Sequence, residues 1–577
     1  MRRAGVSRPR TSSFYYDELI MAIAVRVLPF FLAITAVAQS GPADGATRAD
    51  WPHYGGTQLS WRYSALDQIN AKNVKQLAPA WIFQTGDYEQ GLQSTPIVVD
   101  GVMYLSTSRS QVFALDAATG SLLWNYEYPL PKGRANAQNH GVAVAGGSVF
   151  VGTYDDYLVA LDRKTGREEW KVAVNDSKQC GCAINGAPLI AKDKVIVGEA
   201  GGDGALRGYL SAFDIRTGRL AWRFFTIPGP GEKGNDTWKG DSWKFGGGAP
   251  WMTGSYDSSL NLVYWGTGNA ASDLYAGDRD PGGKGEDGLN LYTASVVALD
   301  ADTGKLRWYY QEVPKDVWDY DAAYESILID REVGGKLRKL LVHVNKSGYA
   351  FTLDRATGEY IKAFPIVELH TWVKGITEDG KWVGRVEPEP GHPVDVCPSP
   401  VGGKSWNGNA YSPRTGFVYT PSLEICTKLI ANRQEPREGS GFLGGNWILG
   451  MPTDRTEYSH IDAYDPLTGK RAWTYPYKNV LFASLLATAG DLVFTGDPEG
   501  FFFALDAKTG TKLWSFQTGA GHRGSAVTYS VNGKQYVATP TGWGSIAASM
   551  VRGLLHDSNR FRNGSALVVF ALPEGTK

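Results

Sequence analysis

The stretch KDVWDYDAAYE, residues 315–325, places Asp316, Asp319 and Asp321 within six consecutive positions of the chain. Carboxylates two residues apart repel one another unless a cation or solvent compensates their charge. Carboxylate oxygens are also the preferred ligands of Ca²⁺ and of similar hard cations. The stretch is therefore either an exposed turn or part of a metal site, and these eleven residues alone leave both interpretations open.

The composition of the 577-residue chain indicates an all-β fold. It contains 70 Gly, 19 Trp, 29 Tyr and 22 Phe, and short runs such as SVFVGTYDDYLVALD alternate β-forming residues with turn residues. The formal net charge is −1 and no basic run is present, so we expect no nucleic acid partner. No 18 consecutive apolar residues follow position 50, so we expect no membrane span there.

The N-terminal residues resemble an export signal. An apolar core from Val27 to Val37 ends at the small-x-small site Ala36-Val37-Ala38, and a polar stretch follows. We therefore expect residues 1–38 to be a signal peptide that directs the protein to the periplasm, with the residues before Met21 as a possible upstream extension. A membrane anchor is the weaker alternative, because the apolar run is short. We expect 39–50 to be a flexible segment and 51–577 to be one domain.

A repeated phrase organises the rest of the chain. It occurs seven times: ALDAATGSLLW (114–124), ALDRKTGREEW (160–170), AFDIRTGRLAW (212–222), ALDADTGKLRW (298–308), TLDRATGEYIK (352–362), AYDPLTGKRAW (463–473) and ALDAKTGTKLW (504–514). Each copy predicts a strand that ends in Asp, a Thr-Gly turn, and a second strand that closes on Trp. Such hairpins are typical of the blades of a β-propeller.

The repeat predicts an eight-bladed β-propeller. The unmatched segments APAWIFQTGD near the start and SALVVFALPEG at the end would pair to complete the eighth blade, which removes the last open sheet edge. We expect each Trp to pack against the neighbouring blade. The long insertions around 223–297 and 363–460 would form loops over one face, where the active site is expected.

From Trp51 to the C-terminal strand, the chain resembles the PQQ-dependent (quinoprotein) alcohol dehydrogenases, in which PQQ is pyrroloquinoline quinone. The repeated phrase is the tryptophan-docking motif of that family. Non-enzymatic exported propellers share the phrase, so it predicts the fold and not the chemistry. The segments VIVGEAGGDGALRGYLSAFD, FGGGAPWMTGSYDSSLNLVYWGTGNAASD and KDVWDYDAAYE carry the chemistry, because they resemble, in the same order, the family segments that hold a metal ion and the quinone.

The resemblance implies a metal site of oxygen ligands. Asp203 stands where the family usually has a metal-binding Glu, Asn269 matches the amide ligand, and Asp319 matches the catalytic carboxylate. Asp321 is a further candidate ligand; it would favour a lanthanide over Ca²⁺, or compensate for the shorter Asp203, or point into solvent. Ca²⁺ is the expected ion, with a lanthanide as the alternative. Taken alone, Asp203 and Asn269 could each be a turn residue. The occurrence of all three family segments in the same order argues against that interpretation.

The resemblance also implies contacts to PQQ. Trp251 matches the indole on which the quinone stacks, and Lys346 matches a cation beside the reactive carbonyls. Taken alone, Trp251 could be a core residue and Lys346 a solvated charge. Further matching positions are Ala200, Gly201, Gly202, Asn407 and Trp543.

The chain departs from the family at several cofactor positions. His140 replaces the usual carboxylate-binding Arg, Gln93 replaces a Glu, and Asn185 replaces a Thr. The vicinal cysteine pair of many members is missing, and Arg134 and Ala135 stand there. Gln and His can still hydrogen-bond a polyanionic quinone, so PQQ remains the expected cofactor.

The four cysteines divide into two pairs. Cys397 and Cys426 match a structural disulfide of the family. Cys180 and Cys182 match nothing in the family; they form either a local disulfide that replaces the missing lid or two free thiols. Metal binding by this Cys-x-Cys pair is not expected, because no His or second pair is near in sequence.

These features together predict a PQQ-dependent alcohol dehydrogenase. Asp319 would be the general base, and Lys346 would stabilise the developing oxyanion. No Cys-x-x-Cys-His motif occurs, so a separate periplasmic cytochrome c is the expected electron acceptor. Phe482 stands where relatives that oxidise small alcohols have Trp, which together with the missing cysteine pair predicts bulky or secondary alcohols as substrates. A sugar or polyol dehydrogenase and a non-catalytic exported scaffold are the alternatives.

Overall fold

The computed structural model describes residues 44–129, 137–282, 289–544, 546–552, 554–555 and 558–575. The predicted signal peptide, 1–38, and the positions Arg134 and Ala135 lie outside these ranges. Of the predicted flexible segment, residues 44–50 are described, and Thr47 N donates a 2.9 Å hydrogen bond to Tyr63 O. No helix within the described ranges is long and apolar enough to cross a membrane.

The first half of the described chain forms two early strands and five sheets of four antiparallel strands. In chain order the strands are β1 (Tyr63–Ser64), β2 (Ala78–Gln84), β3 (Ile97–Val99), β4 (Val102–Ser106), β5 (Val112–Asp116), β6 (Leu122–Tyr126), β7 (Ala143–Ala145), β8 (Ser148–Gly152), β9 (Tyr157–Asp162), β10 (Glu168–Ala173), β11 (Leu189–Ala191), β12 (Lys194–Gly198), β13 (Tyr209–Asp214), β14 (Leu220–Phe225), β15 (Ser255–Asp257), β16 (Leu262–Gly266), β17 (Ser295–Asp300), β18 (Leu306–Gln311), β19 (Ile327–Val333), β20 (Lys336–Val344), β21 (Tyr349–Asp354) and β22 (Tyr360–Pro365). The five sheets are β3–β6, β7–β10, β11–β14, β15–β18 and β19–β22.

The second half completes the propeller and adds two small sheets. Its strands are β23 (Gly375–Ile376), β24 (Trp382–Val383), β25 (Val394–Val396), β26 (Ala410–Ser412), β27 (Phe417–Leu423), β28 (Cys426–Ala431), β29 (Gly445–Gly450), β30 (Ser459–Tyr464), β31 (Arg471–Tyr477), β32 (Leu486–Thr488), β33 (Leu492–Gly496), β34 (Phe501–Asp506), β35 (Lys512–Gln517), β36 (Val527–Val531), β37 (Lys534–Pro540) and β38 (Ala566–Ala571). The blades are β26-β27-β30-β31, β32–β35 with β1 added in parallel, and β36–β38 with β2. The small sheets, β23-β24 and β25-β28-β29, lie within the predicted insertion.

Helices are few and short in the described ranges. They are α1 (Ser177–Cys180), α2 (Ile546–Val551) and the 3₁₀ turns Val74–Gln76, Asn235–Thr237, Ser242–Phe245 and Ser558–Arg560. The described residues thus form eight blades, which confirms the predicted all-β propeller.

The two ends of the domain pair as predicted. β2 lies antiparallel to β38, with Ala78 opposite Ala571 and Gln84 opposite Ala566. The eighth blade therefore takes one strand from near the start of the domain and three from its end. This pairing joins the two ends of the domain in one sheet and closes the ring.

The repeated phrase fastens neighbouring blades to one another. In one copy, Asp116 Oδ1 accepts hydrogen bonds from Thr119 N (2.8 Å) and Thr119 Oγ1 (2.9 Å), which holds the Thr-Gly turn. Trp124 donates to Arg163 O of the next blade at 3.0 Å. A Cβ on Gly166, whose φ is +70°, would lie 2.5 Å from the Trp124 ring, so only glycine fits there.

The docking contact recurs around the ring. Trp170, Trp222, Trp308 and Trp473 donate to backbone carbonyls of the following blade at 3.0–3.2 Å. The copy at 352–362 lacks Trp, and there the Phe364 ring covers Gly469 instead. The prediction that each Trp packs on the neighbouring blade is confirmed for these copies.

Candidate active site

The loops that form the site all lie at the same end of their blades. Strands one and two of each blade are antiparallel, so the loop before strand one and the loop after strand two lie on the same face. Each blade contributes a residue three or four positions before its first strand: Gln93, His140, Asn185, Trp251, Tyr324, Asn407, Phe482 and Arg523. The second-strand loops contribute Asp203, Asn269, Lys346 and Trp543.

A cavity of about 270 Å³ lies among these loops. The inserted strand β29 adds Trp447 to its wall, which confirms that insertions build over the face with the site. The predicted site residues that line it are Asn185, Ala200, Gly201, Gly202, Asp203, Trp251, Asp319, Asp321 and Lys346.

The other predicted site residues are buried behind this lining. His140 lies 4.2 Å, between ring centroids, from Trp406, which lines the cavity. Asn269 donates its backbone N–H to Asp321 Oδ1 at 2.9 Å. Gln93, Asn407 and Trp543 are each at most 2% exposed.

The carboxylates predicted to bind a metal form an acidic cluster: Asp203, Asp319 and Asp321, joined by Asp273. Lys346 Nζ lies 2.7 Å from Asp319 Oδ1 and 2.9 Å from Asp321 Oδ2. Four carboxylates and one ammonium leave an excess of negative charge, which suits a hard cation. Asp321 is 4% exposed, so the possibility that it points into solvent is wrong.

Burial sets the titration of this cluster. It raises the pKa of Asp319 well above its usual range, and the nearby Lys346 ammonium opposes that rise. Burial also raises the pKa of Asp203, to which the Asp321 charge adds. The Asp203 side chain remains open to the cavity although protein surrounds it on its other sides. A bound cation would offset the cost of ionising both groups.

The carboxylates are near one another but not in coordination geometry. In the described part of the chain, no choice of one oxygen from each of Asp203, Asp319 and Asp321 brings all three within 4.8 Å of one another. Coordination by all three at once would therefore require side-chain movement. Asp319 has φ = +63°, which is rare for a non-glycine residue and is often found at functional sites.

Asp273 orients the predicted amide ligand. Its Oδ1 accepts a 2.8 Å hydrogen bond from Asn269 Nδ2, so the amide nitrogen is engaged and Oδ1 is the group left to bind a cation. Asp273 is 2% exposed, and burial raises its pKa well above the usual range, with Asp203 and Asp319 adding to the rise. Sequence reasoning missed Asp273, although it follows Asn269 by only four residues.

Asp316 has a structural role in the loop. Its carboxylate accepts hydrogen bonds from Trp318 N (3.0 Å) and Tyr320 N (2.8 Å). Arg279 donates to its backbone carbonyl. Of the three aspartates in KDVWDYDAAYE, Asp316 holds the loop, and Asp319 and Asp321 face the cavity.

Unpartnered polar atoms around the cavity test whether PQQ fits. Burial deprives these atoms of water, and such groups normally have a partner. The buried atoms without one are Gln93 Oε1, both ring nitrogens of His140, Asn185 Oδ1, Tyr324 Oη, Asn407 Oδ1, Trp543 Nε1 and the Nε and Nη1 atoms of Arg523. Together with Trp251 in the cavity wall, this set of donors and acceptors fits a flat, polar, anionic molecule.

Tyr324, Trp406 and Arg523 line the cavity and were missed from the sequence. The Tyr324 ring stands perpendicular to Trp251 at 5.8 Å. For Tyr324 and Arg523 the available signal was position, since they precede a first strand by the same spacing as His140 and Trp251.

Phe482 does not line the cavity. It is 1% exposed, stacks on Trp543 at 5.8 Å, and is covered by the Arg523 guanidinium at 4.7 Å from its ring centroid. Phe is smaller than Trp, but the space gained at position 482 adjoins the Arg523 guanidinium. It does not enlarge the cavity wall that a substrate would contact.

The structure pairs the four cysteines. Cys397 bonds to Cys426 and Cys180 bonds to Cys182. Asp156 lies near the second pair, but bonded sulfurs are not available as metal ligands. Gly181, between the paired residues, lines the cavity, so this disulfide lies at its edge.

The chain is similar to known proteins over most of its length. The family model described as glucose/ethanol/alcohol dehydrogenase, β-propeller domain, matches residues 51–382 and 476–537. A quinoprotein alcohol dehydrogenase, PedH, of Pseudomonas putida is 38% identical over 89% of this chain and 89% of its own length. A quinohemoprotein alcohol dehydrogenase of Comamonas testosteroni is 38% identical over 87% of this chain and 74% of its own length.

Solved structures give the same result. A europium-containing methanol dehydrogenase superposes with a TM-score of 0.84 at 34% identity, over 91% of this chain and 98% of its own. The quinohemoprotein alcohol dehydrogenase ADHIIG of Pseudomonas putida superposes with a TM-score of 0.83 at 35% identity, over 92% and 81%. Sequence, fold and the composition of the cavity agree, and the chain belongs to the family of PQQ-dependent alcohol dehydrogenases.

Proposed function

We propose that this protein is a periplasmic PQQ-dependent dehydrogenase that oxidises a bulky or secondary alcohol to a ketone or aldehyde and passes the electrons to a separate cytochrome c. The observation that carries the proposal is the cavity itself, which is lined by Trp251 and by carboxylates of the acidic cluster and has unpartnered polar atoms in and behind its wall. The relatives' names, quinoprotein and quinohemoprotein alcohol dehydrogenase, support the same reaction.

The residues that would hold the cofactor follow from the cavity wall. Trp251 in the wall offers a flat apolar face for stacking, and Asn185 in the wall has an unpartnered Oδ1. Asn407 and Trp543, buried behind the wall, carry further atoms that lack partners. Gly202 lets the backbone pack closely against Ala249, since a Cβ there would meet the side chain of Ala249 at 3.0 Å. The metal ion would lie among Asp203, Asn269, Asp319 and Asp321, as Ca²⁺ or a lanthanide. When bound, PQQ supplies a two-electron acceptor and the ion supplies Lewis-acid polarisation.

Asp319 is the proposed general base. Its carboxylate lines the cavity, and the adjacent Lys346 ammonium favours its ionised form, which can accept the hydroxyl proton of an alcohol. Burial lowers the pKa of Lys346, but Asp319 and Asp321 raise it to well above its usual range overall. Lys346 therefore stays cationic and can stabilise negative charge that develops during oxidation.

The substrate and acceptor proposals rest on sequence. The chain lacks a Cys-x-x-Cys-His haem-attachment motif, which supports a separate electron acceptor. The missing vicinal cysteines at 134–135 support a roomier substrate site. The N-terminal signal supports export.

Reconstitution tests the proposal. Protein loaded with PQQ and Ca²⁺ or La³⁺ should bind the quinone and reduce an artificial electron acceptor with alcohols, and kcat/KM should be higher for secondary or bulky alcohols than for methanol. A preference for methanol would overturn the substrate proposal, and a preference for sugars or polyols would replace it. A protein that binds no quinone and reduces no dye with any substrate would be a non-catalytic propeller.

A further inference from the structure

Arg523 differs from the other fully buried arginines of the described chain. Arg62 pairs with Glu325 at 2.8 Å, Arg355 with Asp257 at 2.7 Å, and Arg279 donates to Asn290. Arg523 is 1% exposed, its Nε and Nη1 atoms have no hydrogen-bond partner, and no carboxylate of the described residues lies within 4.0 Å of it. A buried guanidinium without a partner is costly, which suggests that a ligand supplies the missing acceptor.

The side chain of Arg523 lines the same cavity as Asp319 and Lys346. It precedes the first strand of its blade, β36, by four residues, the spacing at which other blades place Trp251 and Asn185. Its guanidinium lies 5.6 Å from the ring centroid of Trp406 and 4.7 Å from that of Phe482. These aromatic contacts orient the planar group without using its N–H donors.

The neighbouring His140 cannot provide the positive charge. Burial, together with the Arg523 charge, lowers the pKa of His140 to about 3, so the imidazole is neutral at neutral pH. The ring centroid of Trp406 lies 4.2 Å from that of His140 and 5.6 Å from the Arg523 guanidinium. The family resemblance places a carboxylate-binding Arg at position 140; here the nearby cation is Arg523. Burial lowers the pKa of Arg523 to about 9, which leaves it charged at neutral pH.

We propose that Arg523 binds a carboxylate in the cavity and that this carboxylate belongs to the quinone, so that Arg523 takes over the anion-binding role that His140 has lost. Nε and Nη1 both lack partners, and each can donate a charge-assisted hydrogen bond to a carboxylate oxygen. Gln93 and His140 would add neutral hydrogen bonds beside it. The inference rests on the proposed function, since it assumes that the cavity takes PQQ.

Binding of PQQ to the metal-loaded apoprotein, followed by quenching of tryptophan fluorescence, tests the assignment. Arg523→Leu should raise the Kd for PQQ about ten- to hundred-fold, the range expected for loss of a charge-assisted hydrogen bond. The double variant Arg523→Leu/His140→Arg places a cation at position 140 instead of 523, and it should recover part of the affinity for PQQ. Arg331→Leu is the matched control, because Arg331 pairs with Asp465 at 2.8 Å outside the cavity and its loss should leave PQQ binding unchanged.

Thermal unfolding separates ligand binding from a structural role. Without PQQ, Arg523→Leu should be at least as stable as the wild type, because it removes a buried charge that has no partner. With PQQ, the rise in Tm should be smaller in the variant than in the wild type. A variant with a lower Tm without PQQ and an unchanged Kd would show that Arg523 is structural and would overturn the inference.

Kinetics distinguish the two sources of a carboxylate. If the group belonged to the substrate, Arg523→Leu would leave the Kd for PQQ unchanged and would raise KM for hydroxy acids but not for neutral alcohols, which would overturn the assignment to the quinone. If the wild type bound PQQ and Arg523→Leu bound it equally well, only the Arg523 inference would fail. If the wild type bound no PQQ, the proposed function would fail with it.

Discussion

Two groups of residues around the same cavity carry uncompensated charge of opposite sign. The acidic cluster holds four carboxylates around Lys346. The cationic group, Arg523 with its neighbours His140 and Trp406, has a buried guanidinium and no carboxylate partner among the described residues. Within the described chain, the carboxylates lack sufficient positive charge and Arg523 lacks a negative partner, but the two groups form no ion pair with each other. The difference indicates a cavity that awaits two charged ligands, a cation for the first group and an anion for the second.

The largest expected effect separates catalysis from binding in the acidic cluster. Asp319→Asn keeps the size of the side chain and an oxygen that can face the metal, but it removes the base, so kcat should fall about 10²- to 10⁴-fold. PQQ binding, measured by tryptophan fluorescence, should persist. An Asp319→Asn enzyme with normal turnover would place the base elsewhere.

The second prediction tests how many charges the acidic cluster offers the metal. Asp321 contacts both Lys346 and the backbone of Asn269, so it is held beside the proposed ligands. Asp321→Ala should lower activity supported by La³⁺ more than activity supported by Ca²⁺, because a trivalent ion depends more on each carboxylate. Reconstitution of metal-free protein with either ion provides the measurement. If Asp321→Ala behaved as wild type with both metals, Asp321 would not be a ligand.

A third prediction concerns the support of the metal ligands. Asp273→Leu should weaken metal affinity about ten- to hundred-fold, because Asn269 Nδ2 would lose the acceptor that orients its amide. Metal-free protein is titrated with Ca²⁺, and the amount of PQQ that becomes bound at each step gives the affinity for the metal. At saturating metal, kcat should change little. A fall in kcat with unchanged metal affinity would instead assign Asp273 to the chemistry.

The smallest effect on the site should come from the outer part of the blades. Trp222 is 7% exposed and donates to Ala301 O of the next blade at 3.0 Å. Trp222→Ala should lower the free energy of unfolding by about 3 to 5 kcal/mol, as for other large-to-small core changes. Metal and PQQ affinities of the folded protein should stay near wild type. A selective loss of cofactor binding without loss of stability would show that the docking contacts shape the cavity.

The sequence alone predicted the architecture well, because the propeller is built from local, repeated interactions. Each Asp-x-x-Thr-Gly turn is closed by side chains a few residues apart, and the Trp of five copies meets the glycine of the next copy. The pairing of β2 with β38 followed from counting copies, because a closed ring needs the two unmatched strands to meet. The resemblance to the family also led to Asp203, Trp251, Asp319 and Lys346 as site residues, and all four line one cavity.

What the sequence by itself determined is therefore the all-β repeat, its closure, and the residue types available on the loops. Only the tertiary structure separated Asp316, whose carboxylate accepts backbone N–H groups, from Asp319 and Asp321, which face Lys346. Only the tertiary structure placed Phe482 behind the cavity and left the Arg523 guanidinium without an acidic partner. The physical reason is that burial and pairing depend on which loops meet in the folded chain, as Lys346 meets Asp319 and Arg523 meets Phe482, whereas turns and strand patterns depend on neighbours in sequence.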